Sequence, residues 1–81
     1  MSGDLEARRL PPEWSAYLRG QPETGMDYQT GDVVLRDGTR VQDVVFVGAT
    51  YVGEVRGRKE VPFRPEEIAG IRLTHRRWGR T

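Results

Sequence analysis

Arginine is the side chain with which this sequence can do most chemistry. Twelve of its thirteen basic residues are Arg, and the planar guanidinium fork binds carboxylate or phosphate bidentately. Two clusters stand out, Arg56-Gly57-Arg58-Lys59 and Arg76-Arg77-Trp78-Gly79-Arg80. Guanidinium groups interleaved with an aromatic ring can hold a phosphate backbone while a base stacks on the ring, as in single-strand binders. Arg56, Arg58, Lys59, Arg76, Arg77 and Trp78 are therefore the candidate nucleic-acid contacts. Several features weigh against that reading. Glu60, Glu66 and Glu67 dilute the positive field, and a pI near 8.2 is below that of a dedicated binder. Codon usage in a GC-rich genome accounts for an Arg bias equally well, and Trp78 is as simply read as a cover for one end of the domain.

A second candidate surface is apolar. The loop Pro22-Glu23-Thr24-Gly25 is flanked by Met26 and Tyr28, and such a loop can rim a contact site. Pro22, Met26 and Tyr28, with Trp14 and Tyr17 from a preceding helix, make up the candidate interaction surface.

Catalytic constellations are poorly served. The chain has one His and no Cys, and its serines, Ser2 and Ser15, fall outside the β-rich part. No Ser-His-Asp or Cys-His set can be assembled. Asp27, Asp32, Asp37 and Asp43 lack the spacing of a metal site, so neither a metal nor any other cofactor is expected. His75 is read as capping the last strand, one ring nitrogen toward a backbone group. The function class expected is thus non-enzymatic.

Eighty-one residues make one domain of modest core. The apolar fraction is 36% and mean hydropathy −0.68, yet the apolar residues are concentrated rather than dilute. The lack of Cys excludes disulfides and thiolate metal sites. No apolar run reaches the roughly 18 residues of a membrane span, and residues 1–9 have no apolar signal-peptide core; a cytoplasmic protein with no membrane partner is expected. The net charge of +1 conceals an asymmetry: residues 1–55 hold five Arg against nine acids, residues 56–81 eight Lys/Arg against three.

The elements that must position these residues follow from local pattern. Residues 1–10 read as a flexible tail and 11–81 as the single β domain, ending in a basic tail over 76–81. Over 11–20, Pro12, Glu13 in the first turn and a terminal Gly20 predict a short helix, with Gly20 in the left-handed position after it. Trp14, Tyr17 and Leu18 share one face and must dock on the β domain. Strands are expected within 26–75. Asp37-Gly38 between Val33-Val34-Leu35 and Val41 to Val47 is a hairpin signal, which predicts a type I′ turn. Gly48-Ala49-Thr50 closes a second turn, and Tyr51 to Arg56 forms a strand with Gly53 as a bulge or close approach. Val61-Pro62-Phe63 reads as a short edge strand, Arg64 to Gly70 as one helical turn, and Ile71 to His75 as the last strand. The expected core is Val33, Leu35, Val41, Val45, Val47, Val52, Val55, Phe63, Ile68, Ile71 and Leu73. Val44 and Phe46 then face the other way and need cover, from the Trp14 helix or from a second subunit paired through strands.

Four or five short strands with one helical turn before the last predict a mainly β fold. It is either a small SH3-like or Sm-like barrel or a strongly bent antiparallel sheet. Val33-Val34-Leu35-Arg36-Asp37-Gly38 resembles the first Sm motif, and Val55-Arg56-Gly57 resembles the Arg-Gly of the second, which in that family lines an RNA-binding pore. The chain also resembles a group of short uncharacterised bacterial proteins. The shared segments are Pro-Glu-Thr-Gly-Met (Pro22 to Met26), Leu-x-Asp-Gly (Leu35 to Gly38), Pro-Phe-x-x-x-x-Ile (Pro62 to Ile68) and Thr-His-x-x-Trp (Thr74 to Trp78). That second resemblance implies no activity. The function expected is a binding or protein-interaction module, its partner a protein, a role that a further copy of itself can fill. Single-stranded RNA binding through the Arg-rich turn and tail is the alternative.

Overall fold

The structure, a computed structural model, describes residues 6–76. Arg77 and Trp78, two of the expected nucleic-acid contacts, lie outside the described residues. Helix α1 (Pro12–Arg19) precedes strands β1 (Tyr28–Leu35), β2 (Arg40–Val47) and β3 (Tyr51–Val55). A 3-10 turn (Pro65–Glu67) leads into β4 (Ile68–Leu73). The four strands form one open antiparallel sheet in the order β3-β2-β1-β4, so its edges, β3 and β4, are not paired with each other. Mainly β architecture, the N-terminal helix and the helical turn before the last strand are as the sequence predicts. Val61-Pro62-Phe63 is not a strand; Pro62 has no N–H to give a ladder, and the segment instead buries Phe63 in the core.

The second turn lies at residues 48–50 as expected, whereas the Asp37-Gly38 turn differs from the expected assignment. Leu35 C=O accepts from Gly38 N–H, and Leu35 N–H donates to Thr39 C=O, each at 2.8 Å. Of the residues between, only Gly38 has positive φ, +92°. Residues 36–38 are therefore a three-residue loop, a type I turn closed by a left-handed glycine. At the next hairpin residues 48–50 lie between the paired Val47 and Tyr51. There Gly48 and Ala49 both have positive φ, 60° and 58°, and Thr50 N–H donates to Val47 C=O at 3.0 Å, the pattern of a type I′ turn.

One residue decides which valines enter the core. Along β1, Gly31 pairs with Val44 and Val33 with Val41, so β2 has one extra residue in this stretch. Asp43, with φ of 58°, takes the left-handed conformation that Asp tolerates better than most residues. The bulge reverses the inside-outside phase beyond it. Val44 and Phe46 are therefore in the core, each fully buried, whereas Val47 is 42% exposed and Val45 is buried outside the core cluster. The expected assignment of Val45 and Val47 to the core and Val44 and Phe46 to the other face is corrected accordingly. Cover for Val44 and Phe46 comes from the chain itself, because Leu18 and Trp14 of α1 join their cluster, and the need for a second subunit to hide them disappears. Val33, Leu35, Val41, Val52, Val55, Phe63 and Ile68 are core residues as expected, with Ile71 and Leu73 half-buried against them.

The helix ends without the expected left-handed glycine. Gly20 has φ −84°. The Gly20 and Gln21 N–H groups bond back to Tyr17 and Leu18, and a buried Gln29 amide from β1 donates to the Leu18, Gln21 and Pro22 carbonyls at 2.9, 3.3 and 3.1 Å. With the Tyr17 and Leu18 carbonyls met by these local N–H groups, and Leu18 by Gln29 as well, a left-handed cap is unnecessary.

Residues 8–10 are not a loose tail. Val52 N–H donates to Arg8 C=O at 3.0 Å, and Leu10 N–H to Thr50 C=O at 2.7 Å. Leu10 is 3% exposed. β3 is an edge strand with outward main-chain groups to satisfy, and this segment satisfies them. Arg9 lies over the Tyr51 ring at 5.1 Å and pairs with Glu6 at 2.9 Å.

Candidate functional site

The arginines converge on one face of the sheet, the face opposite α1. Period-two alternation sends Val33, Leu35 and Val41 to the core, and so sends Asp32, Val34, Arg40 and Gln42 outward. In register, Val34 stands opposite Arg40 and Asp32 opposite Arg72. Asp32, Val34, Arg40, Gln42 and Arg72 line one shallow depression there. A second groove adjoins it, lined by Arg40, Val41, Gln42, Asp43, Val55, Arg56 and Arg58. Arg56 is held against β2 by its N–H bond to Asp43 C=O at 3.0 Å, and the Gly57 turn (φ +83°) brings Arg58 back toward β2.

Arg76 reaches the same place by another route. Thr74 and His75 each donate a backbone N–H to Thr30 C=O at 2.9 Å. The His75 Nδ1 is 2.7 Å from Thr24 Oγ1, which also accepts the Thr30 N–H at 3.0 Å. The ring nitrogen thus meets a side-chain hydroxyl and not the backbone group expected of it. His75 has φ of 57°, and beyond this knot the Arg76 guanidinium lies 3.1 Å from Asp43 Oδ1. That ion pair is partly exposed, so its worth to stability is about 0–1 kcal/mol. Its greater effect is electrostatic, because it cancels one of the few carboxylates beside the groove.

The structure thus brings Arg56, Arg58 and Arg76 together around Asp43. Lys59 is exposed in the adjoining turn. Arg40 and Arg72 belong to the same surface, though sequence reasoning passed over them. Their signal was present in the alternation Arg40-Val41 and Ile71-Arg72-Leu73, which puts an arginine on the outer face of each strand. Among the described residues, Arg40, Arg58 and Arg72 have no ion pair. The groove lining includes no aromatic ring.

The apolar candidates do not form one surface. Met26 is 90% exposed, Pro22 is exposed, and Tyr17 is 39% exposed, set edge-on to Trp14 with ring centroids 6.0 Å apart. Trp14 itself packs against the core. Tyr28 lies over Gly25, whose hydrogen leaves room for the ring. A groove between the end of α1 and the Gly48-Ala49 turn includes Tyr28 but none of the other four.

Shifted acidities lie away from the arginine face. The Thr39 backbone N–H, donating to Asp37 Oδ1 at 2.9 Å, holds the Asp37 carboxyl below its ordinary value. The hydrogen bond and charge of Arg9 do the same for Glu6. Among the described residues no three His, Cys, Asp or Glu side chains gather as metal ligands, and no helix is long and apolar enough to cross a membrane. No protein-family model, curated protein or solved structure matches this chain.

Proposed function

We propose that this protein is a non-enzymatic interaction module whose partner is an acidic protein segment bound on the arginine face. The observation that carries the reading is that Arg40 and Arg58 line one groove and have no ion pair among the described residues. Guanidinium groups left unneutralised on a preformed surface favour a carboxylate-bearing partner and speed its encounter. Three bulges, at Asp43, at Gly53 and between Val34 and Leu35, are irregularities of the kind that curve strands in small SH3-like or Sm-like barrels. With the Sm-motif resemblance, those bulges support the barrel kinship, as the shared segments support kinship with the short bacterial proteins. A cytoplasmic setting fits a chain without cysteine.

A second reading rests on the number of guanidiniums around Asp43. Arg56, Arg58 and Arg76, with Lys59 beside them, would also suit the phosphates of a single-stranded RNA. Fluorescence anisotropy separates the two. A labelled Glu-rich peptide and a labelled mixed-sequence RNA are each titrated with the full chain at 50 and 200 mM salt. The proposal expects micromolar peptide binding that is lost in Arg40→Glu with Arg58→Glu, and weaker RNA binding. Tighter, steeply salt-dependent RNA binding would reverse the order. Binding of neither probe would remove the arginine face as the working surface. Light scattering on the same samples tests self-association, for which a mass of one chain at high micromolar concentration is the negative result.

A further inference from the structure

We infer that the acidic segment binds by adding a β-strand to the uncovered edge of β2 at Arg40–Gln42. This deepens the reading above and rests on it. The starting observation is that β3 is shorter than the strand it borders. Its pairing with β2 starts at Val44 opposite Val55, and the last bond on that side is Arg56 N–H to Asp43 C=O. Arg40 and Val41 therefore pair with β1 alone, and Gln42 beside them has no partner in β3.

Antiparallel alternation fixes which main-chain groups are left over. Leu35 N–H donates to Thr39 C=O, so the next pair, Val34 and Arg40, is a non-bonded one. The N–H and C=O of Arg40 point away from β1, those of Val41 point toward it, and those of Gln42 point away again. Two donors and two acceptors thus lie in a row along the floor of the groove that Arg40, Gln42, Arg56 and Arg58 line.

An extended peptide matches such a row, since its own N–H and C=O groups alternate with the same period. A nucleic acid does not, and the groove offers no aromatic ring for a base to stack on. The chain also uses this mode within itself, where Arg8–Leu10 pair along the outer side of β3. The pleat then specifies the ligand. Side chains at every second position fall on the arginine face near Arg40, and those between fall on the other side, where Val41 and Val55 line the groove. The partner that fits has alternating acidic and apolar residues.

The probe is a fluorescent Glu-Val-Glu-Val-Glu-Val peptide, compared with the same peptide N-methylated at alternate amides. N-methylation keeps every charge and removes the donors a ladder needs. The readouts are anisotropy and amide hydrogen exchange of the full chain. Strand addition predicts that N-methylation in the bonding register weakens binding tenfold or more, and that exchange at Arg40 and Gln42 slows at least tenfold when the unmodified peptide is bound. Equal affinity of both peptides, with no change at those two amides, would overturn strand addition yet leave the acidic-partner reading standing. Protection appearing along β4 instead would also overturn it, since the ligand would then be on the opposite edge. If neither peptide binds while oligo-uridine does, both readings fall together. Arg40→Gln with Arg58→Gln, exposed changes that leave the core intact, must lower peptide affinity without altering amide exchange in the free chain.

Discussion

The Gln29 side-chain amide donates to the Leu18 carbonyl at 2.9 Å, joining the first core strand to the last turn of α1. Gln29 is 2% exposed, and it lies on the same face as Phe46, its partner in register. A two-turn helix has little stability of its own. What holds α1 on the sheet is Leu18 and Trp14 in the core, together with this amide on the Leu18 carbonyl and on the Gln21 and Pro22 carbonyls just beyond the helix. A single polar residue in the core thus takes over part of the role of a C-terminal cap.

Gln29→Leu tests that substitution of roles. Leu keeps much of the volume and removes the donors, so the partly buried bonds to the Gln21 and Pro22 carbonyls are lost and the Leu18 carbonyl keeps Gln21 N–H, at a cost of about 1–3 kcal/mol. For a domain this small, each kcal/mol corresponds to a melting shift of about 4–8 °C. Thermal and urea unfolding by circular dichroism should show that loss. A change below a few tenths of a kcal/mol would mean that α1 is held by Leu18 and Trp14 alone.

Asp43 carries the bulge, and substitution there separates backbone conformation from charge. Asn also adopts positive φ readily, so Asp43→Asn should lose only the exposed pair with Arg76 and stay within about 1 kcal/mol of the parent. Asp43→Val puts a β-branched residue in the left-handed region and should cost about 1–3 kcal/mol. Equal stability of the two variants would show that the bulge does not depend on residue 43.

The same bulge explains what was legible in the sequence and what was not. Trp14 and Leu18 at helical spacing placed α1 on the sheet, and Gly53 within an apolar run marked a close approach. Pro65 followed by two glutamates marked the 3-10 turn. All of these are signals carried by a residue and its near neighbours. The phase of Val44 to Val47 is not local, because it depends on one left-handed residue whose conformation is settled by pairing with β1. Asp-Gly at 37–38 read as a two-residue turn, yet where pairing starts is fixed by Leu35 and Thr39. For the site, Arg56, Arg58 and Arg76 were visible as clusters, whereas Arg40 and Arg72 join them only once the strand order β2-β1-β4 is known. Residues 8–10 looked too polar to be ordered, because the signal for their pairing is the bare edge of β3 and not anything in their own sequence.

Acid should weaken the fold through two exposed carboxylates. Asp37 is held below its ordinary acidity by the Thr39 N–H, and Glu6 by Arg9. A carboxyl whose pKa is lower in the folded state stabilises above its unfolded value and loses that contribution as pH falls through the folded one. Stability should thus be level between pH 5 and 7 as far as these groups decide it, and fall below about pH 4. In Asp37→Asn the amide oxygen still accepts from Thr39 but does not titrate. Urea midpoints between pH 3 and 6 should decline less in this variant than in the parent, and parallel curves would assign the acid loss elsewhere.

Two glycines in the sheet lie equally close to a neighbour, and the kind of neighbour sets the cost of a side chain. A Cβ at Gly31 would be 2.6 Å from the Arg72 carbonyl oxygen and 3.0 Å from Leu73 Cα, both in the β4 backbone. A Cβ at Gly53 would also meet an atom at 2.6 Å, but that atom is Val47 Cγ2, and the next is Val45 O at 3.4 Å. Val47 is 42% exposed and can turn its side chain toward solvent, whereas β4 can yield only by moving a paired strand away from β1. Neither glycine has positive φ, so the comparison is one of space alone. Gly31→Ala should cost about 1–3 kcal/mol. Gly53→Ala should stay near neutral, the strain at Val47 offset by about 0.5–1 kcal/mol from the lower chain entropy of Ala. Hydrogen exchange can localise the effect, since Gly31→Ala should speed exchange across β4 and Gly53→Ala should leave β4 unchanged. Equal losses in the two variants would mean that β4 accommodates a methyl group as easily as a surface valine does, and that the β1–β4 pairing is looser than its register implies.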